Sequence, residues 1–376
     1  MLRSILNRTL PWLRCQLEIS RGYDTNVRTM EGLRGFAVFL VFLVHYASMI
    51  QPWLLQQSHT YILAKWLEAF GQSGVDLFFV LSGYLIYGSL ITRKQPFLRF
   101  MRRRAQRIYP AFLVVFVLYI GLSLVFPAES KIPKPFSAGF AYLIQNLFFL
   151  PGLLPIKPMI VVAWSLSYEM FFYLVIPLLI NWLGLRRRMV TTRITLFLLI
   201  GIIIAIYCST FGGYPRLIMF IAGIVLFDVE KNGLVRSPGD ALGLTCLIGG
   251  LLLMPVAAEG PTAGTLKLCL LAVSFFVLCR SCFSGSGHLT IRMFSWTPIR
   301  WLGNLSYSYY LLHVLVLKAA FLSFAFMVPP SADRTLIFWV LLPSLFAATL
   351  IPVGVLFLAV EKPFSLKQSR AVNKNE

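Results

Sequence analysis

A chain of 376 residues that is 58% hydrophobic, 13% charged and has a mean hydropathy of +0.77 cannot hide its apolar surface in water, where about 45–50% apolar and about 25% charged residues are usual. Its formal net charge of +20 comes with no basic soluble module, which points to basic loops facing anionic lipid and to no nucleic-acid partner. Composition selects an integral membrane protein.

In chain order, residues 1–33 come first. Leu2, Ile5, Leu6, Leu10, Leu13 and Leu17 are spaced between Arg3, Arg8 and Arg14, which predicts a basic cytoplasmic tail with an interfacial helix kinked at Pro11 rather than a signal peptide. The long charge-free runs that follow, such as 36–44, 113–126, 196–207 and 340–359, lack the alternation of barrel strands, so the fold class is all-α, a polytopic transmembrane helical bundle. About ten spans are expected by length, near 34–50, 73–91, 108–126, 164–183, 194–210, 216–229, 240–257, 264–280, 300–322 and 335–359. The apolar piece 140–150, closed by Pro151 and Gly152, is too short to cross and reads as re-entrant or interfacial. Residues 34–359 form the membrane domain, and 360–376 a second tail. With both termini cytoplasmic, 26 of the 34 Lys and Arg fall on the inner side, the asymmetry that the positive-inside rule requires. Of six cysteines only Cys279 and Cys282 form a CxxC pair, and one pair cannot complete a zinc site, so no metal is expected.

A charge near the bilayer centre costs about 2.5–3.5 kcal/mol on insertion scales, so polar residues within spans carry the functional information. At helical spacing Glu31, Arg34, His45 and Ser48 share one stripe. Arg34 and His45 are eleven residues apart, ~16 Å of rise, which sets the guanidinium at the inner surface and the imidazole near mid-membrane. Asp76 shares a face with Val80, Gly83 and Tyr87 and needs a donor, His45 or an arginine. Ser82 and Gly83 beside it equally fit small-residue packing around a structural ion pair. An inner loop holds Arg99, Arg102, Arg103, Arg104 and Arg107, and arginine rather than lysine suits forked hydrogen bonding to phosphates. Ser165, Glu169 and Tyr173 follow at i, i+4 steps with Tyr168 among them, and Ser306, Tyr309, Tyr310 and His313 form a last polar stripe in which His313 first reads as a packing residue satisfied by hydroxyls.

The string Glu31-Gly-Leu-Arg34-Gly followed by His45, with ten residues between Arg34 and His45, resembles the signature of acyltransferase family 3. So do Gly74-Val-Asp-Leu-Phe-Phe-Val-Leu-Ser-Gly83, Arg103-Arg104-x-x-Arg107-Ile-x-Pro110, Trp164-Ser-Leu-Ser-Tyr-Glu169 and Leu305-Ser-Tyr-Ser-Tyr-Tyr-Leu-Leu-His313, in the family's order over residues 28–362. The resemblance implies a ten-span enzyme of the bacterial inner membrane that takes acyl, usually acetyl, from cytoplasmic acyl-CoA and esterifies a hydroxyl of a glycan or lipid-linked saccharide, with no permanently bound cofactor. Met170 stands where the family often has a second acid. Some members carry a fused extracytoplasmic hydrolase-like domain, and only a short tail follows residue 360, which leaves transfer to the membrane domain or to a separate extracytoplasmic partner.

Acyl transfer from a thioester needs a base for the acceptor proton and donors for the oxyanion. His45 is the candidate base, with Arg34, Glu31, Asp76 and Glu169 completing the candidate catalytic set and Glu31 or Asp76 fixing the imidazole tautomer. An acyl-His intermediate is the competing mechanism. Arg103, Arg104 and Arg107 are the expected grip on the CoA phosphates. Ser82, Tyr168, Tyr309 and His313 are the expected acceptor contacts. The alternative function is a transporter or flippase of a glycolipid or ion that uses the same buried polar groups.

Overall fold

The computed structural model describes residues 11–19, 25–283, 288–330 and 335–366. These are helical almost throughout, and the one β feature among them is an isolated bridge from Pro151 to Leu154. A short α1 (residues 11–17) is followed by α2 (Thr25–Ile50), α3 (His59–Gly71), α4 (Ser73–Thr92), α5 (Phe97–Val125), α6 (Phe136–Leu147) and α7 (Trp164–Trp182). Then come α8 (Val190–Phe211), α9 (Leu217–Asn232), α10 (Asp240–Leu253), α11 (Gly260–Phe283), α12 (His288–Phe294), α13 (Thr297–Asn304), α14 (Ser306–Met327) and α15 (Thr335–Leu356), and a π-helical segment Phe357–Leu366 closes the described chain.

Among the described residues, eight helical stretches are long and apolar enough to cross a membrane. The spans expected at 216–229 and 240–257 are occupied by α9 and α10, of 16 and 14 residues, which at ~1.5 Å per residue fall short of a core about 30 Å thick. The piece at 140–150 lies in and just beyond the twelve-residue α6. The arginines expected in a loop are helical instead. Pro96, extended at the N-cap, starts α5, which runs for 29 residues from Phe97, because arginine is a good helix former and nothing between Pro96 and Pro110 interrupts the turn. Of the expected interfacial helix, residues 11–17 are helical. Residues 1–10 and 20–24, and 367–376 of the C-terminal tail, lie outside the described residues.

The chain forms two compact units. The first comprises residues 1–89, 188–307 and 321–346. Its α2 packs against α12 and α13 along a seam of glycines set on backbone carbonyls. A Cβ on Gly32 would lie 1.7 Å from the Phe294 carbonyl oxygen, one on Gly35 1.8 Å from that of Ile299, and one on Gly303 1.8 Å from that of Glu31. Only hydrogen fits there, and the helices approach as closely as small-residue seams permit. Further along α2, Tyr46 stacks on Phe42 at 5.7 Å and its hydroxyl donates to the Phe338 carbonyl.

The second unit comprises residues 90–187, 308–320 and 347–376. Here α5 packs against α7 and the π-helical segment, with Phe112 held between Phe149 and Phe116 at centroid distances of 4.5 and 5.5 Å.

Candidate active site

In the first unit the glycine seam sets the rotation of α2, and so decides what its polar stripe meets. Arg300 of α13 donates through Nε to Glu31 Oε2 at 3.0 Å, with Nη2 2.9 Å from the same oxygen. The same guanidinium also bonds Glu18, which Trp301 reaches through Nε1 at 3.2 Å. Burial alone would raise the Glu18 carboxyl, but the bonds from Arg300 and Trp301 outweigh it and hold the group below the ordinary carboxylate range. Arg34 donates from Nη2 to Ser306 Oγ at 2.8 Å.

His45 lies half-buried three turns further along α2. Glu31 is fourteen residues, ~21 Å of continuous helix, from His45, so it does not reach the imidazole. Asp76, fully buried, takes two bonds from Arg216 Nη1 at 3.1 and 3.2 Å. Glu68 of α3 acts electrostatically on His45, and its Oε2 accepts from Gln51 Nε2 at 2.8 Å. Ser82 is half-buried on α4, beyond Asp76. A further pair in this unit joins Arg193 to Asp228 at 3.0 and 2.6 Å, with the Tyr87 hydroxyl donating to the same carboxylate at 2.8 Å.

In the second unit the arginine band forms the first turns of α5. Arg99, Arg103 and Arg107 follow at i, i+4 steps on one face, and Arg102 is exposed. The Arg104 guanidinium lies over the rings of Phe100 and Tyr173, 5.3 and 5.6 Å from their centroids. Arg107 Nη2 stands 3.8 Å from Glu361 Oε1. Glu361 is fully buried, and its other oxygen accepts from the Ser308 amide at 3.1 Å and hydroxyl at 2.6 Å.

Beyond Ser308, α14 carries a buried hydroxyl cluster. The Tyr309 and Thr349 hydroxyls are 2.9 Å apart, and those of Tyr310 and Ser165 are 2.6 Å apart. Tyr310 also donates to the Val162 carbonyl at 3.0 Å. His313 is fully buried with Nδ1 2.8 Å from the Tyr309 carbonyl. A carbonyl only accepts, so Nδ1 carries the hydrogen. On α7, Tyr168 is buried edge-on to Trp164 at 5.8 Å, and Glu169 accepts from the Tyr173 hydroxyl one turn on.

The structure thus joins Arg34 to Ser306 and Glu31 to Arg300, and it gathers Tyr309 and His313 with Ser165 and Tyr310. Sequence reasoning missed Arg300, Arg216, Glu68, Ser308 and Glu361. Only Glu361 left a signal, as a lone acid directly after the apolar run 340–359.

Comparison with known proteins agrees with these motifs. A family model described as an acyltransferase domain matches residues 27–358. The chain is 28% identical over 323 residues to acyltransferase MdmB of Streptomyces mycarofaciens, covering 77% of this chain and 79% of that protein. It is 27% identical over 264 residues to exopolysaccharide production protein ExoZ of Rhizobium meliloti, covering 66% and 77%. To the O-acetyltransferase OatA of Staphylococcus aureus it is 30% identical over 223 residues, 52% of this chain but 34% of that protein, so the match spans about a third of OatA. No solved structure matches. Because the family model covers nearly all of the membrane-embedded region and contains all five motifs whole, this polytopic chain belongs to acyltransferase family 3.

Proposed function

We propose that this membrane protein moves an acyl group, with acetyl the expected one, from acyl-CoA to a hydroxyl of a glycan or lipid-linked saccharide. Family membership supports the group transfer. The relatives named an O-acetyltransferase and an exopolysaccharide production protein support an oxygen acceptor on a saccharide. One observation carries the donor half of the reading, namely the start of α5. No acidic residue lies in its first turn, its N-terminus is the positive end of the helix dipole, and its arginines add to that field. Arg104 rests on aromatic rings and Arg107 stands 3.8 Å from its carboxylate, so both keep donor capacity for phosphate oxygens. Arg103, Arg104 and Arg107 are the proposed grip on CoA.

In the transfer itself, the acceptor oxygen attacks the thioester carbonyl carbon. The C–O bond forms, His45 takes the hydroxyl proton, the C–S bond breaks, and the proton returns to the departing CoA thiolate. Glu68 is the proposed orienting acid for His45. Arg34 is proposed to hold the developing oxyanion. Glu31 and Asp76 act through Arg300 and Arg216, as positioning residues. Ser82, Tyr168, Tyr309 and His313 are the proposed acceptor contacts, and Glu169 accepts from the Tyr173 hydroxyl. The inner-side excess of Lys and Arg favours both termini cytoplasmic, and the family resemblance favours a bacterial plasma membrane.

Incubating membranes that contain the protein with [14C]acetyl-CoA tests the reading. Label should enter the saccharide fraction, leave it under mild alkali as an ester does, and be absent with His45→Ala. Saccharide crossing the membrane with no label incorporated would instead support the transport reading.

A further inference from the structure

Several of the described lysines and arginines are held by a carboxylate or by carbonyls. In the first unit Arg216 meets Asp76, Lys65 meets Glu68 at 3.4 Å, and Lys267 Nζ is taken by the carbonyls of Met254 and Val256 at 2.8 and 2.6 Å. In the second unit three lysines lie close enough to act on one another, and one of them is paired with a carboxylate. Lys318 of α14 donates to Glu129 at 2.5 Å. Two residues beyond Glu129, Lys131 donates to the Pro158 carbonyl at 3.0 Å, beside Lys157. The Lys131 amine is held below the ordinary lysine range, by partial desolvation first and then by the charges of Lys318 and Lys157.

This cluster is wired to the hydroxyls of the same unit. From Pro158 the chain continues to Met159, whose amide donates to Asn146 Oδ1 at 2.8 Å, and then to Val162, whose carbonyl accepts from Tyr310 at 3.0 Å. Lys318 lies five residues beyond His313 on α14, ~7.5 Å of rise, on the far side of His313 from Ser308 and Glu361. We propose that Lys131, Lys157 and Lys318 bind the anionic group, phosphate or uronate, of the saccharide acceptor and so deliver a neighbouring hydroxyl toward the Tyr310 and His313 cluster. The inference rests on the acyl-transfer reading and adds to it the charge class of the acceptor. An ammonium is a point charge that takes phosphate and carboxylate alike. The contacts to Glu129 and Pro158 fix two of the ammoniums, as a saccharide site requires and a snorkelling lysine on a lipid headgroup does not.

The test uses the full-length protein in nanodiscs of phosphatidylcholine alone, with binding read calorimetrically. Trigalacturonate and glucose 1-phosphate should bind more tightly than maltotriose and glucose, and more weakly in high salt. The double variant Lys131→Gln, Lys157→Gln should lose roughly fivefold or more of the affinity for the acidic probes, a few tenths to 1 kcal/mol per exposed ammonium. Lys131→Arg should retain it, and Lys267→Gln should match the unaltered protein. Affinity for the acidic probes should also fall as pH rises, beginning below the ordinary lysine range. Equal binding of acidic and neutral sugars would overturn the proposal. So would an effect of the double variant confined to discs containing phosphatidylglycerol, which would make the cluster a lipid site. Binding is read without turnover, so charge-selective binding with no acetyl transfer would defeat the enzymatic reading alone, and acetyl transfer with no charge selectivity would defeat this inference alone.

Discussion

In the first unit Arg193 meets Asp228 at 2.6 Å, Arg300 meets Glu31 at 2.9 Å and Arg216 meets Asp76 at 3.1 Å. In the second, Arg107 stands 3.8 Å from Glu361 and Arg104 lies on two aromatic rings. A guanidinium closed on a buried carboxylate is a strut whose hydrogen bonds are committed. One set on rings or held at arm's length keeps its donors for a ligand that comes and goes. The same residue type is thus closed on carboxylates in one unit and set on rings or 3.8 Å from a carboxylate in the other.

The sharpest way to break that comparison is to remove one histidine from each unit. His45→Ala should lower kcat by about 10²–10⁴-fold with donor binding near normal, the usual worth of general acid–base catalysis. His313→Ala should act mainly on KM for the acceptor. Single-turnover measurements with both variants decide, and an exchange of the two phenotypes would move the base to the second unit. Next in size, Asp76→Ala leaves the half-buried Arg216 without that carboxylate and should cost about 1.5–3 kcal/mol of stability, read as a lowered unfolding temperature in detergent. If Asp76 takes part in chemistry instead, a folded variant of ordinary stability will show a kcat defect.

Smaller effects are expected where the arginines are uncommitted. Arg104→Gln and Arg107→Gln should each raise KM for acyl-CoA by roughly tenfold with kcat changed less, the pattern of lost uniform binding. A fall in stability like that of Asp76→Ala would show that they too are struts. The smallest effect concerns Glu18. Its carboxyl is held below the ordinary range in the folded chain, so its contribution is present above the unfolded glutamate pKa of about 4.3 and is lost as pH falls through the lowered folded value. Trp301 fluorescence should report that loss at acid pH, worth less than about 1 kcal/mol for a partly exposed pair. In Glu18→Gln the acid-side transition should vanish.

The long spans were legible because 18 or more apolar residues have few other fates, and the stripe of Glu31, Arg34 and His45 was legible because helical spacing is local. The short α9 and α10 were not, since composition marks an apolar run without saying how much of it stays helical. The arginine band was read as a loop because its charges were taken for a boundary, whereas the helix simply begins earlier, at Phe97. The partners of the buried acids were illegible for a different reason. Arg300 sits in the eight-residue α13 and Arg216 at the N-cap of α9, and tertiary packing rather than local pattern selected them. Glu361 was assigned to a tail because an acid after an apolar run usually ends it, yet the chain stays helical to Leu366 and buries the carboxylate.

The glycine seam of α2 also has a consequence for how the chain is made. Glu31 and Arg300 are 269 residues apart, and at 5–20 residues per second of synthesis the first helix leaves the ribosome roughly 15–55 s before its partner exists. Throughout that interval Gly32 and Gly35 present a bare groove, and Glu31 sits at the membrane boundary without its counter-charge. A chain terminated before α13 leaves the Gly35 face of α2 uncovered and Glu31 without Arg300, which would make it a substrate for membrane proteolysis.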